Sequence, residues 1–204
     1  HQKGEVPFTV IGKEGLALLP LSSMELTQKS STKRISSGIK TLDAMCGGGF
    51  FQDSIILISG ATGTGKSLTT SHFINDETEG GRSMLFGFEE SRDQLIRNAA
   101  NWGMDFAARE KAGNLKIICQ YPEIAALEDH LIKMQAAIDE FKPTRVAIDS
   151  LSALERISVV KNFREFVLSL TETLKRREIA GLFTSTTPSL LGGQSVTEAH
   201  ISTI

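Results

Sequence analysis

The sequence predicts an α/β fold, a mostly parallel β-sheet with helices on both faces. Three observations carry this. Short apolar runs alternate with longer amphipathic ones from Ser36 onward. The first buried run ends in a glycine-rich loop that leads straight into a helix. Several runs end in an acidic residue, which in parallel sheets places the acids at one edge, where ligands bind.

The elements follow in order. Residues 1–35 differ from the rest: "VPFTVIG" and "LALLPL" suit short strands, whereas "SSMELTQKSSTKR" is polar, rich in Ser and Thr and without helical period, which is linker composition. "DSIILISG" reads as a fully buried strand and "KSLTTSHFINDE" as a helix ended by Gly80–Gly81. "SMLFGF" is the next strand. "SRDQLIRNAANW" is a helix with Ser91 as N-cap and Leu95, Ile96 and Ala99 on one face. "LKIIC" is a third strand, and "LEDHLIKMQAAIDEF" a helix with Leu127, Leu131, Met134 and Ile138 on its core stripe. "RVAID", "NFREFVLSLTETLKRRE" and "AGLFTST" complete the series as strand, helix and strand.

Bulk properties narrow the class. With 40% hydrophobic and 23% charged residues in 204, one packed domain with an appendage is expected. The net charge of −2 offers no global attraction to nucleic acid or to a membrane surface. No apolar run approaches a membrane span. Cys46 and Cys119 lack ligand spacing and read as buried, reduced thiols of a cytoplasmic protein. The absence of an initiator Met marks the chain, in this reading, as a piece of a longer protein.

The loop "GATGTGKS", Gly60 to Ser67, fits G-x-x-x-x-G-K-[ST] without departure. Gly60, Gly63 and Gly65 let the backbone curl, with Thr62 and Thr64 between them, so that successive N–H groups face anionic oxygens. Lys66 can reach the β- and γ-phosphates of ATP, and the Ser67 hydroxyl can ligate Mg²⁺. Asp149, at the end of "RVAID", is a second candidate for Mg²⁺, or a cap for the helix that follows. Glu89 and Glu90 close the second strand. Two acids beside a γ-phosphate need compensation, so one is expected to orient or deprotonate the attacking oxygen while the other faces the metal or caps a helix. Glu89 is the first candidate base, with Glu90 beside it. Trp102, the single Trp, can stack on adenine or fill the core.

The chain ends on "EAHISTI", where Ser202 and Thr203 put two hydroxyls side by side. Taken together, "RISSGIKTLDAMCGGGFFQDSIILISGATGTGKS", "FEESRDQLIRNAANWGMDF", "YPEIAALEDHL", "AIDSLSAL" and "EAHISTI" resemble the KaiC family of circadian-clock ATPases, and in particular the second of that family's two ATPase domains, within the wider RecA-like P-loop ATPases. The resemblance covers nearly all of residues 34–204. It implies a RecA-like domain over 36–204, truncated before its last strands, and makes 1–35 the tail of a preceding ATPase domain with its connector. It also implies a homo-hexamer with ATP at subunit interfaces, autokinase and autophosphatase activity with Ser202 and Thr203 as acceptors, Glu89 and Glu90 as catalytic acids, Trp102 as an adenine contact, and the clock proteins KaiA and KaiB as partners. Glu198 and Ala199 depart from the family's Asp and Ser, and "ERISVVKN" is also unlike it.

Two other functions compete. A DNA motor would need basic loops, yet the chain after Arg177 holds no Lys or Arg and the loop after Asp149 only Arg156 and Lys161, which argues against nucleic acid. A ring scaffold that merely binds ATP would have no need of the acid pair.

Overall fold

The computed structural model describes residues 8–11, 15–18, 30–76 and 80–187. Two antiparallel pairs come first. Strands β1 (Phe8–Ile11) and β2 (Gly15–Leu18) form one hairpin, and the two-residue β3 (Arg34–Ile35) and β4 (Phe50–Phe51) pair around helix α1 (Lys40–Met45). The main sheet then alternates with helices: β5 (Ile55–Gly60), α2 (Lys66–Asn75), β6 (Ser83–Gly87), α3 (Arg92–Asn101), α4 (Phe106–Lys111), β7 (Leu115–Cys119), α5 (Leu127–Phe141), β8 (Arg145–Asp149), α6 (Leu151–Arg156), α7 (Val160–Arg176) and β9 (Ala180–Thr186). All five strands are parallel, in the order β5-β9-β8-β6-β7.

Side-chain alternation along the strands divides the core into two layers. Met84 and Phe86, Val146 and Ile148, and Phe183 face α5, α6 and α7. Leu85, Ala147 and Leu182 face α2, α3 and α4, against Phe73, Ile74, Ala99 and Phe106. Burying both faces is what a parallel sheet needs. Helix α7 supplies a long apolar stripe, with Phe163, Phe166, Val167, Leu170 and Leu174 all buried at helical spacing. The stripe expected on α5 is buried in full.

Two expectations need correction. Strand β5 is not fully buried: most of its residues are half-exposed, because among the described residues it stands at an edge of the sheet with one strand neighbour, β9. The thiols of Cys46 and Cys119 are both free and only partly buried. Helices α1 and α4, six residues each, are too short to show a period in the sequence. Among the described residues no helix is long and apolar enough to cross a membrane.

Candidate nucleotide site

The loop between β5 and α2 is built to leave its backbone open. Gly65, the N-cap of α2, sits at φ +92°, and no side chain caps the helix, so its first N–H groups are open to an anion. A Cβ on Gly63 or Gly65 would meet no protein atom within 4 Å, so the space over the loop is clear. Beneath it the turn is pinned, with Thr64 Oγ1 donating to the Ala61 carbonyl at 2.8 Å. The Lys66 ammonium folds over this turn and donates to the carbonyls of Gly60 at 2.8 Å and Ala61 at 2.9 Å. These bonds use two of its three donors and hold the charge at the loop's mouth.

The acids arrive from the neighbouring strand ends. The Phe88 amide donates to the Asp149 carbonyl at 2.8 Å, which ties the loop after β6 to the tip of β8. Glu89 Oε1 lies 3.1 Å from Arg156 Nη2 on α6. Glu90 Oε2 accepts from Asn98 Nδ2 of α3 at 2.8 Å. Burial pushes the Glu90 carboxyl above its ordinary range, and the Asp149 charge adds to this, while the Asn98 bond opposes it. Asp149 Oδ1 accepts from the buried Thr184 hydroxyl at 2.6 Å.

One open cleft collects these groups. Thr62, Gly63, Gly65, Lys66, Ser67, Glu89, Glu90, Trp102 and Asp149 all line it. Gly60 and Thr64 do not: they pack against each other within the turn, where a Cβ on Gly60 would stand 2.9 Å from Thr64 Oγ1. Trp102, at the C-terminal end of α3, is 39% exposed and is therefore no core filler. Ser202 and Thr203 lie outside the described residues.

The cleft also holds residues that sequence reasoning passed over. Asn98 stands one helical turn before Trp102, and that spacing alone was a usable signal. Thr186 ends β9, next to β5 and β8 in the sheet. Arg156, one of two sparse cations that follow Asp149 in the sequence, does not line the cleft but reaches Glu89 from α6.

The donor set fits a nucleotide with Mg²⁺. Among the described residues no group of three His, Cys, Asp or Glu could hold a metal by itself. Mg²⁺ characteristically takes one or two protein oxygens and completes its shell with phosphate and water, and Ser67 and Asp149, both lining the cleft, are such a pair.

Comparison with known proteins agrees. A family model described as "ATPase: KaiC" matches residues 35–203. Circadian clock protein KaiC3 of Synechocystis sp. is 62% identical over 205 positions, which cover 100% of this chain and 41% of that protein. Circadian clock oscillator protein KaiC of Acaryochloris marina is 56% identical, over 100% of this chain and 39% of its own length. The same figures hold for the KaiC of Rippkaea orientalis. The chain thus spans about two fifths of the length of the curated relatives it matches.

Proposed function

This chain belongs to the KaiC family of ATPases, with a RecA-like P-loop fold, and from that premise we propose that it is the ATP-binding, phosphoryl-transferring part of a circadian clock protein. The observation that carries the reading is the convergence of Lys66, Ser67, Asp149 and the acid pair on one cleft at the carboxyl ends of parallel strands. Residues 36–204 form the catalytic domain in this reading, and 1–35 connect it to a preceding one.

Each residue has a separable task. The amides at Gly63–Ser67 and the Lys66 ammonium bind and orient the β- and γ-phosphates. Ser67 and Asp149 would hold Mg²⁺, which neutralises charge on those phosphates, while Glu89, a third candidate for the metal, is given the base role instead. Trp102 and Asn98 line the side of the cleft where the base would lie. Glu89 takes the proton of the attacking hydroxyl as its oxygen bonds to the γ-phosphorus. The bond from that phosphorus to the bridging oxygen breaks, and its electron pair leaves with ADP.

The attacking oxygen decides the outcome. Water gives ATP hydrolysis. An alcohol presented by a neighbouring subunit gives a phosphoprotein, and Ser202 and Thr203 are the alcohols we assign. Reversal with ADP bound removes the phosphate again. Each phosphate adds roughly −1.5 to −2 charges, enough to alter an interface. Assembly as a homo-hexamer and engagement of KaiA and KaiB belong to the same proposal.

The test is phosphopeptide mapping of the intact protein after incubation with γ-labelled ATP. Label on Ser202 and Thr203, lost when Glu89 and Glu90 are both replaced by Gln while nucleotide binding persists, supports the kinase. Release of inorganic phosphate with no labelled peptide reduces the function to ATP hydrolysis.

A further inference from the structure

Arg156 closes α6 and reaches back to the loop after β6, where its Nη2 lies 3.1 Å from Oε1 of Glu89 across 67 residues of sequence. The pair is open to solvent, with side-chain exposures of 64% for Arg156 and 38% for Glu89. Exposed ion pairs contribute little to stability, so holding the fold together does not account for this one. Its position does. Helix α6 begins two residues after Asp149, so the contact fixes Glu89 relative to the strand end that carries the candidate metal ligand. The neighbouring acid is held from the other side, where Asn98 of α3 donates to Glu90. Two adjacent carboxylates that would repel each other are drawn to different elements, Glu89 to the Arg156 guanidinium on α6 and Glu90 to the Asn98 amide on α3.

We propose that Arg156 is a positioning residue for Glu89, holding the carboxylate where it meets the attacking hydroxyl. The proposal rests on the phosphoryl-transfer reading above. With Oε1 engaged by the guanidinium, Oε2 remains to accept the hydroxyl proton as the oxygen–phosphorus bond forms and the bond to the ADP oxygen breaks. Arg156 exchanges no proton, because a guanidinium stays charged throughout. Its effect is geometric, and a displacement of about 1 Å in a reacting group costs on the order of 100-fold in rate.

The experiment compares wild type, R156A, R156K, E89Q and the double variant R156A/E89Q in the intact protein. It follows ATP turnover, affinity for ADP without turnover, and thermal melting. R156A should lower kcat about 10- to 100-fold, with KM and ADP affinity within about twofold and melting unchanged, as for an exposed pair. R156K, whose ammonium can reach Oε1 without the planar fork, should recover part of kcat. The double variant should be no slower than E89Q alone, because the two residues act as one unit. An unchanged kcat in R156A overturns the proposal. So does a loss that falls on KM or on melting, or one that adds in full to E89Q. A wild-type protein that binds ATP without turning it over sinks the phosphoryl-transfer reading, and the Arg156 role with it. An active wild type with an equally active R156A sinks only the Arg156 role.

Discussion

Thr184 Oγ1 donates a hydrogen bond to Asp149 Oδ1 across 2.6 Å, so a hydroxyl on β9 sets the rotation of the carboxylate at the tip of β8. Thr184 is fully buried, so its hydroxyl has no water to turn to as an alternative partner. One carboxylate oxygen is thereby fixed and the other is available to a cation in the cleft. Thr184→Val keeps the shape and removes the donor. It should cost about 1.5–3 kcal/mol in urea unfolding, the range for a hydrogen bond to a charged group, and raise the Mg²⁺ concentration needed for half-maximal turnover. Thr184→Ser, which retains the hydroxyl, should behave close to wild type in both measurements.

Lys66 is preset for an anion. Its ammonium already sits over the loop on the Gly60 and Ala61 carbonyls, so binding requires no search for a rotamer. Lys66→Ala removes a charged donor worth about 1.5–3 kcal/mol to a phosphate oxygen. ATP affinity measured by calorimetry should fall roughly 10- to 100-fold on the scale of 1.4 kcal/mol per decade. Lys66→Arg should not restore it, because a planar fork does not fit a pocket shaped for a compact point charge.

Glu90 ties stability to pH. Its carboxyl is raised above the ordinary value of 4.5, by burial first and by Asp149 second. As pH climbs through 4.5 the unfolded chain releases this proton before the folded one does. The folded state then binds more protons, and stability falls with rising pH until the folded carboxyl has also ionised. Glu90→Gln removes that dependence. The variant should melt higher than wild type at neutral pH, with the gap closing as pH is lowered past 4.5. A melting difference that is flat with pH would falsify the assignment of a raised carboxyl to Glu90.

What could be read from the residues divides along a physical line. The phosphate loop is contiguous in sequence, and its glycines are dictated by local backbone geometry, so Gly60–Ser67 was legible at once. The capping box at Ser91 and Gln94 is equally local. Strand ends announce themselves by a change from apolar to acidic residues, which marked Asp149 and Glu89. Strand order carries no such local signature. It places β5 beside β9 at the edge of the described sheet, and a periodicity argument that took β5 as fully buried had no means of knowing this. Contacts made across that order were hidden for the same reason. Thr184 and Arg156 act on Asp149 and Glu89 from 35 and 67 residues away, and their own neighbours in sequence give no hint of it.

Arg145 shows what a buried cation does here, in contrast to the exposed Arg156. It begins β8 at the end of the sheet opposite the cleft and is 2% exposed. Its guanidinium donates to the carbonyls of Ser36 and Phe73, lies 5.4 Å over the Phe73 ring and pairs with Asp76 at 3.7 Å. It therefore joins the sheet to the end of α2 and to the segment just after β3. Removing one partner of a buried, hydrogen-bonded charge pair costs about 3–5 kcal/mol, because the groups left behind have lost water without replacement. Arg145→Met, similar in length and unable to donate, should lose that much in urea denaturation. Arg145→Lys should recover only part of it, since a single ammonium cannot span two carbonyls and a carboxylate from a fixed plane. The site lies at the far end of the strands, so ADP affinity of the folded fraction should stay within about twofold of wild type, a change of less than about 0.5 kcal/mol. A large drop in affinity with little change in unfolding would mean that Arg145 acts on the cleft instead of on the junction it buries.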